Sequence, residues 1–236
     1  TINAADVTGS SSGIQASNSG SGDLSITSTG TVAGAEGYGI YASNIYDTDL
    51  EIIAAIVTGS QDGIKADQGG DGALSIRSTG AVEGTNGYGI YARSMGTGLT
   101  INAADVTGSS IGIKAENNGT GELSITSIGG VYGTEGDGIY ARNFNNADLA
   151  ISAAIVTGSQ DGIDARQYGA GVLSVSSTGT VTGNGGYGIR AVYGLSLIVD
   201  NDEDGYAEVA LVSSANVMAA DKGISTTGIH SITIDA

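Results

Sequence analysis

The chain is 236 residues long and light, with 41 Gly, no Cys, no Pro and no Trp. Without Cys it forms neither a disulfide framework nor a thiolate metal site, and 25 acids against 8 Lys plus Arg, a formal charge of −17, exclude a binder of nucleic-acid phosphates. At 40 % apolar residues it can bury a core, yet its longest apolar runs fall far short of a membrane span and no charged-then-apolar signal opens it.

From the N-terminus onward the tetrapeptide Gly-Ile-x-Ala recurs at Gly13, Gly39, Gly63, Gly89, Gly112, Gly138, Gly162 and Gly188, with a degenerate ninth copy at Gly223. Successive spacings are 26, 24, 26, 23, 26, 24 and 26 residues. Two units alternate: one reads LTINAADVTGSSIGIKA (Leu99 to Ala115), the other LSITSTGTVAGAEGYGIYA (Leu24 to Ala42). In each, a Leu-x-Ile pair comes first, then a single Val, then the Ile-x-Ala pair, all with period-2 alternation. That period predicts short strands, and no window sustains a helical one. Gly30, Gly34 and Gly37 punctuate the second unit, as turns of unusual φ require.

Three short strands per 23 to 26 residues, with no room for crossover helices, describe one coil of a parallel β-helix. The expected fold is all-β, one solenoid domain over residues 1–236, with about nine coils. Stacking places like residues in columns about 4.8 Å apart: Leu24, Leu50, Leu74 and their successors, Val7, Val32, Val57 and theirs, Ile14, Ile40, Ile64 and theirs. One coil buries too few apolar side chains to offset the entropy of ordering it, so stability must come from stacking. A β-sandwich has no need of like residues at an alternating period, and a propeller blade has no need of two such similar halves. The first coil lacks its Leu and neither end carries a polar cap, which reads as a piece of a longer chain open to self-association through its coil ends.

The faces differ in chemistry. Outward positions of the first strand are small and mostly neutral, with only Glu51 and Arg77 charged. The x of Gly-Ile-x-Ala runs Gln15, Tyr41, Lys65, Tyr91, Lys114, Tyr140, Asp164, Arg190, flanked by Tyr38, Tyr88 and Tyr187. Two positions on, Asp67 should face Arg93 and Glu116 should face Arg142 on the next rung. Tyr41, Lys65, Tyr91, Lys114 and Tyr140 make a candidate binding strip, since Tyr buries area at low entropy cost and Lys adds cation–π and hydrogen-bond contacts. The same ladders also serve as plain stabilisers of the sheet. Third-to-first-strand corners such as SNIYDTD (Ser43 to Asp49) vary most and share that edge.

After Val199 the period breaks. Aligning Ala210 to Val212 with the first strand, Val217 with the Val column and Ile224 with the Ile column leaves extra residues that contain Asp200, Asp202, Asp204 and Glu208. This segment predicts a β-hairpin at 195–212 projecting from the rod. Its acids also resemble DxDxDG calcium loops, where alternate carboxylates converge on a hard cation, though Leu211 stands where an EF-hand has its final Glu. Ca²⁺ on Asp200, Asp202, Asp204 and Glu208 is therefore the one cofactor expected.

The two alternating units resemble the repetitive passenger regions of bacterial autotransporter proteins over about residues 1–199 and 210–236. That resemblance implies a right-handed parallel β-helix displayed at the cell surface or secreted, attached to the outer membrane through a segment absent here. The implied role is a non-enzymatic stalk or adhesin whose partner is a receptor or glycan on a host or neighbouring cell. No nucleic-acid partner and no membrane insertion of this segment are expected. The alternative is a β-helical polysaccharide hydrolase or lyase, built on Asp47, Asp49, Glu51 and Arg77 or on the acids after Val199.

Overall fold

The computed structural model describes residues 1–193 in full and, beyond them, the backbone of the strands Ala210–Ala219, Ile224–Thr227 and Ile232–Asp235. Through residue 193 the chain winds into eight stacked coils. Leu24–Ser28, Thr31–Gly34 and Ile40–Asn44 make up one of them, and each strand pairs in parallel with its counterparts in neighbouring coils. First and second strands form a 15-stranded sheet, third strands a 9-stranded sheet. The fold is a parallel β-helix, and no helix among the described residues is long and apolar enough to cross a membrane.

The columns exist as the repeat requires. Leu50 pairs with Leu74 and Leu74 with Leu99; Val57 with Val82 and Val82 with Val106; Ile64 with Ile90 and Ile90 with Ile113. These side chains merge into one continuous core, in which Ile26, Ile52, Ile76 and Ile101 add a further column to the first strand. A one-residue slip would turn every one of them outward, so the period-2 pattern sets the register.

A column of polar side chains runs inside as well. Asn44, Gln68, Ser94, Asn117, Asn143 and Gln167, the fourth residue after each Ile of the Gly-Ile pair, are all buried. They satisfy carbonyls of the corners: Ser94 Oγ donates to the Gly98 oxygen at 3.2 Å, Asn117 Nδ2 to Gly121 at 2.6 Å and Asn143 Nδ2 to Ala147 at 2.6 Å. Corners that turn inward leave buried carbonyls that need donors. An amide or hydroxyl recurring at one place in every unit is the signal that betrays this column.

Three expectations are corrected. Eight coils run through residue 193, and Ala210–Ala219 with Ile224–Thr227 lay a ninth rung on them, followed by Ile232–Asp235. From the sixth coil the first and second strands run together, as in Leu123–Gly133, Leu149–Gly158 and Leu173–Gly183. The bend between them survives as a register shift, between Ser127 and Gly130 in the first case. The glycines serve contact rather than unusual φ, since none of Gly30, Gly34 and Gly37 has a left-handed backbone. At Gly63 a Cβ would lie 2.6 Å from the Gly89 oxygen and 2.7 Å from Val82 Cγ1, because the neighbouring coil presses on this strand start. Finally, residues 210–212 belong to a parallel rung, Ala210 opposite Leu173 and Val212 opposite Val175, as the repeat alignment placed them and not as a hairpin arm. The rest of the expected hairpin, with Asp200, Asp202, Asp204 and Glu208, lies outside the described residues.

Candidate binding face

The outer surface of the third-strand sheet carries the strip. Ladder register sets Tyr41 beside Lys65, then Tyr91, Lys114, Tyr140, Asp164 and Arg190 on successive coils. Where a Tyr precedes the Gly-Ile pair it leans onto the same surface: the Tyr38 and Tyr41 rings stack at 5.4 Å, and Tyr88 and Tyr91 sit at 5.4 Å. Lys65 Nζ lies 5.4 to 5.8 Å from the rings of Tyr38, Tyr91 and Tyr41, and Lys114 Nζ 5.1 and 4.9 Å from those of Tyr88 and Tyr91. Arg142 and Arg166 flank the Tyr140 ring at 4.6 and 5.2 Å. At the adjoining corner Phe144 and Tyr168 stack at 4.9 Å. Such contacts are attractive through the ring quadrupole and hold both groups in one geometry.

Ion pairs complete the face. Arg93 meets Asp67 at 3.4 Å and Arg142 meets Glu116 at 4.0 Å, the two cross-rung pairs expected from the sequence, and Lys114 meets Glu116 at 3.9 Å. Burial, and then the Glu116 charge, push the Tyr91 phenol up to about 12; its hydroxyl donates to Glu116 Oε2 at 3.4 Å. Farther along, Asp164 draws in both Arg166 and Arg190. That hub was not legible beforehand: Asp164 interrupts the Tyr and Lys alternation, and nothing local marks it as a centre. Six of the eight Lys and Arg (Lys65, Arg93, Lys114, Arg142, Arg166 and Arg190) and six of the 11 Tyr (Tyr38, Tyr41, Tyr88, Tyr91, Tyr140 and Tyr187) occupy this one face.

The strip is packed upon itself, with Tyr140 buried and the other four half-buried. It offers a broad surface of ring edges and guanidinium planes, suited to stacking on another apolar or planar group.

Elsewhere the acids are staples between coils. Asp6 accepts the Thr31 N–H at 2.8 Å, Asp62 that of Tyr88 at 2.8 Å, Asp105 that of Gly130 at 2.8 Å and Asp148 that of Val172 at 2.8 Å. Each bond joins a corner carboxylate to the next coil, so much of the acidity has a structural use. Burial raises Asp62 despite this bond, and raises Asp137 to about 6, where Asp161 and Asp164 add repulsion.

The residues of the enzymatic alternative are only partly brought together. Asp49 and Glu51 line a groove of about 260 Å³ with Asp23, but Asp49 accepts the Ala73 N–H at 2.9 Å and Asp47 that of Asp71 at 3.1 Å. Arg77 lines a separate groove on the same sheet. Among the described residues no three His, Asp or Glu side chains converge to hold a metal ion, and the Ca²⁺ ligands expected after Val199 lie outside them. No protein-family model, curated protein or solved structure matches the chain.

Proposed function

We propose that the chain is a non-enzymatic rod of the bacterial cell surface, a stalk and adhesin of the autotransporter-passenger kind, and that its third-strand sheet is the binding face. The observation that carries this reading is the segregation of side chains: six Tyr and six cations gather on one face of a rod whose formal charge is −17. Enrichment in Tyr and Arg is the composition of protein and glycan interfaces, and repetition along the stack multiplies weak contacts. The partner is a receptor or glycan on a host or neighbouring cell. Purified rod titrated onto cells or a glycan array should bind, and Tyr91→Ala or Lys114→Ala should each weaken binding about tenfold, the loss expected of an interface anchor. Undiminished binding in both variants would dismiss this face.

A polysaccharide hydrolase or lyase is the second reading, favoured by Asp23, Asp49 and Glu51 lining one groove. Turnover of an acidic polysaccharide that Glu51→Gln or Asp204→Ala abolishes would replace the adhesin reading with this one.

A further inference from the structure

We infer that the groove beside Arg77 is a site for a sugar acid, a pyranose bearing a carboxylate. The four long units align over LSITSTG (Leu24 to Gly30), LSIRSTG (Leu74 to Gly80), LSITSIG (Leu123 to Gly129) and LSVSSTG (Leu173 to Gly179). At the fourth position they read Thr27, Arg77, Thr126 and Ser176; at the sixth, Thr29, Thr79, Ile128 and Thr178. Each position departs from Ser or Thr once. The two departures, Arg77 and Ile128, belong to different coils and are 51 residues apart in sequence, yet they line one groove of about 380 Å³ with Thr79, Asn102 and Thr126.

Each departure is costly unless used. Ile128 is 79 % exposed, the most exposed of the large apolar side chains among the described residues. Arg77 alone, among the described cations, has neither a carboxylate partner nor an aromatic ring beside it. An unpaired guanidinium on a strongly acidic rod is a place where an anion is attracted rather than repelled, and its planar fork fits a carboxylate. Register then sets Asn102 and Thr126 on the next two rungs, each about 4.8 Å farther on. An amide and a hydroxyl there meet ring hydroxyls, while Ile128 packs against the apolar C–H face of the ring. A free inorganic anion would use Arg77 and leave Ile128 idle; a neutral sugar would do the reverse. The site lies on the other sheet from the Tyr strip and stands or falls without it.

The test is a chemical-shift titration of the intact chain with glucuronate, methyl glucuronide, glucose and acetate. Arg77→Thr and Ile128→Thr are the variants, each installing the residue that a sister coil carries, with circular dichroism to verify the fold. Glucuronate should saturate in the millimolar range, with glucose and acetate at least about tenfold weaker. Arg77→Thr should cost about tenfold and Ile128→Thr about fivefold, the loss of a charge-assisted contact and of a small apolar one. Methyl glucuronide binding as well as the free acid identifies the end of a glycan as the source; weaker binding identifies a free sugar acid. No saturation with glucuronate, equal affinity in Arg77→Thr, or acetate binding as tightly as glucuronate would each overturn the assignment.

Discussion

Arg166 clasps Asp164 from two residues along the same strand, its Nε 3.0 Å from Oδ1 and its Nη2 2.6 Å from Oδ2. Side chains at i and i+2 share one face of a strand, which sets the fork beside the carboxylate. Asp164 is 2 % exposed and Arg190 approaches it from the next coil at 3.5 Å, so a buried charge is balanced by two cations. The pairing holds the Arg166 guanidinium above its ordinary value, first through the hydrogen bond.

Removing one partner of such a pair leaves a charge without water or counterion. Arg166→Ala is expected to cost about 3 kcal/mol in urea unfolding, softened by Arg190, whereas the exposed Arg77→Thr should stay within about 0.5 kcal/mol. A loss below about 0.5 kcal/mol for Arg166→Ala would mean that Arg190 alone balances Asp164.

Asp137 sets a pH dependence. Its carboxyl is raised from 3.8 to about 6 by burial first, with repulsion from Asp161 and Asp164 and partial relief from Arg166 and the Asp161 N–H. Between those two values the folded chain binds this proton more readily than the unfolded chain, so stability falls as pH rises through the window. Asp137→Asn keeps the acceptor for the Asp161 N–H and removes the charge. It should melt higher than wild type at pH 7, by on the order of 1 kcal/mol after solvent screening, and the two should converge near pH 4. Parallel melting curves at both pH values would refute this.

The internal polar column should be as intolerant as the apolar ones. Asn117 is fully buried; its Nδ2 donates to Gly121 at 2.6 Å and to Asn143 Oδ1 at 3.0 Å, and its Oδ1 accepts the Gly119 N–H at 3.3 Å. Asn117→Ala orphans these groups and is expected to destabilise the chain by about 2 kcal/mol. The neighbouring Asn118→Ala, on the exposed side of the corner, should change stability by less than about 0.5 kcal/mol. Equal losses from the two would deny the column its role.

Most of the architecture was legible because a solenoid repeats one local decision. Period-2 alternation assigns each residue to the inside or the outside, and the recurrence of Leu, Val and Ile at like positions sets the pairing partner, so strand identity and register follow from spacing alone. The same arithmetic foresaw Asp67 opposite Arg93 and Glu116 opposite Arg142. What spacing could not reach is how side chains fill the space around a shared rung. Whether Lys65 turns toward water or lies among three Tyr rings depends on rotamers, and so does the gathering of two Arg on Asp164. Gly30 and Gly37 look like turn residues in sequence, while their cause is the close approach of the neighbouring coil. The convergence of Arg77 and Ile128 likewise appears only once coils are stacked, since proximity between residues 51 apart is a property of the winding. Column membership is written in the chain because it is one-dimensional; contacts across columns needed the folded surface.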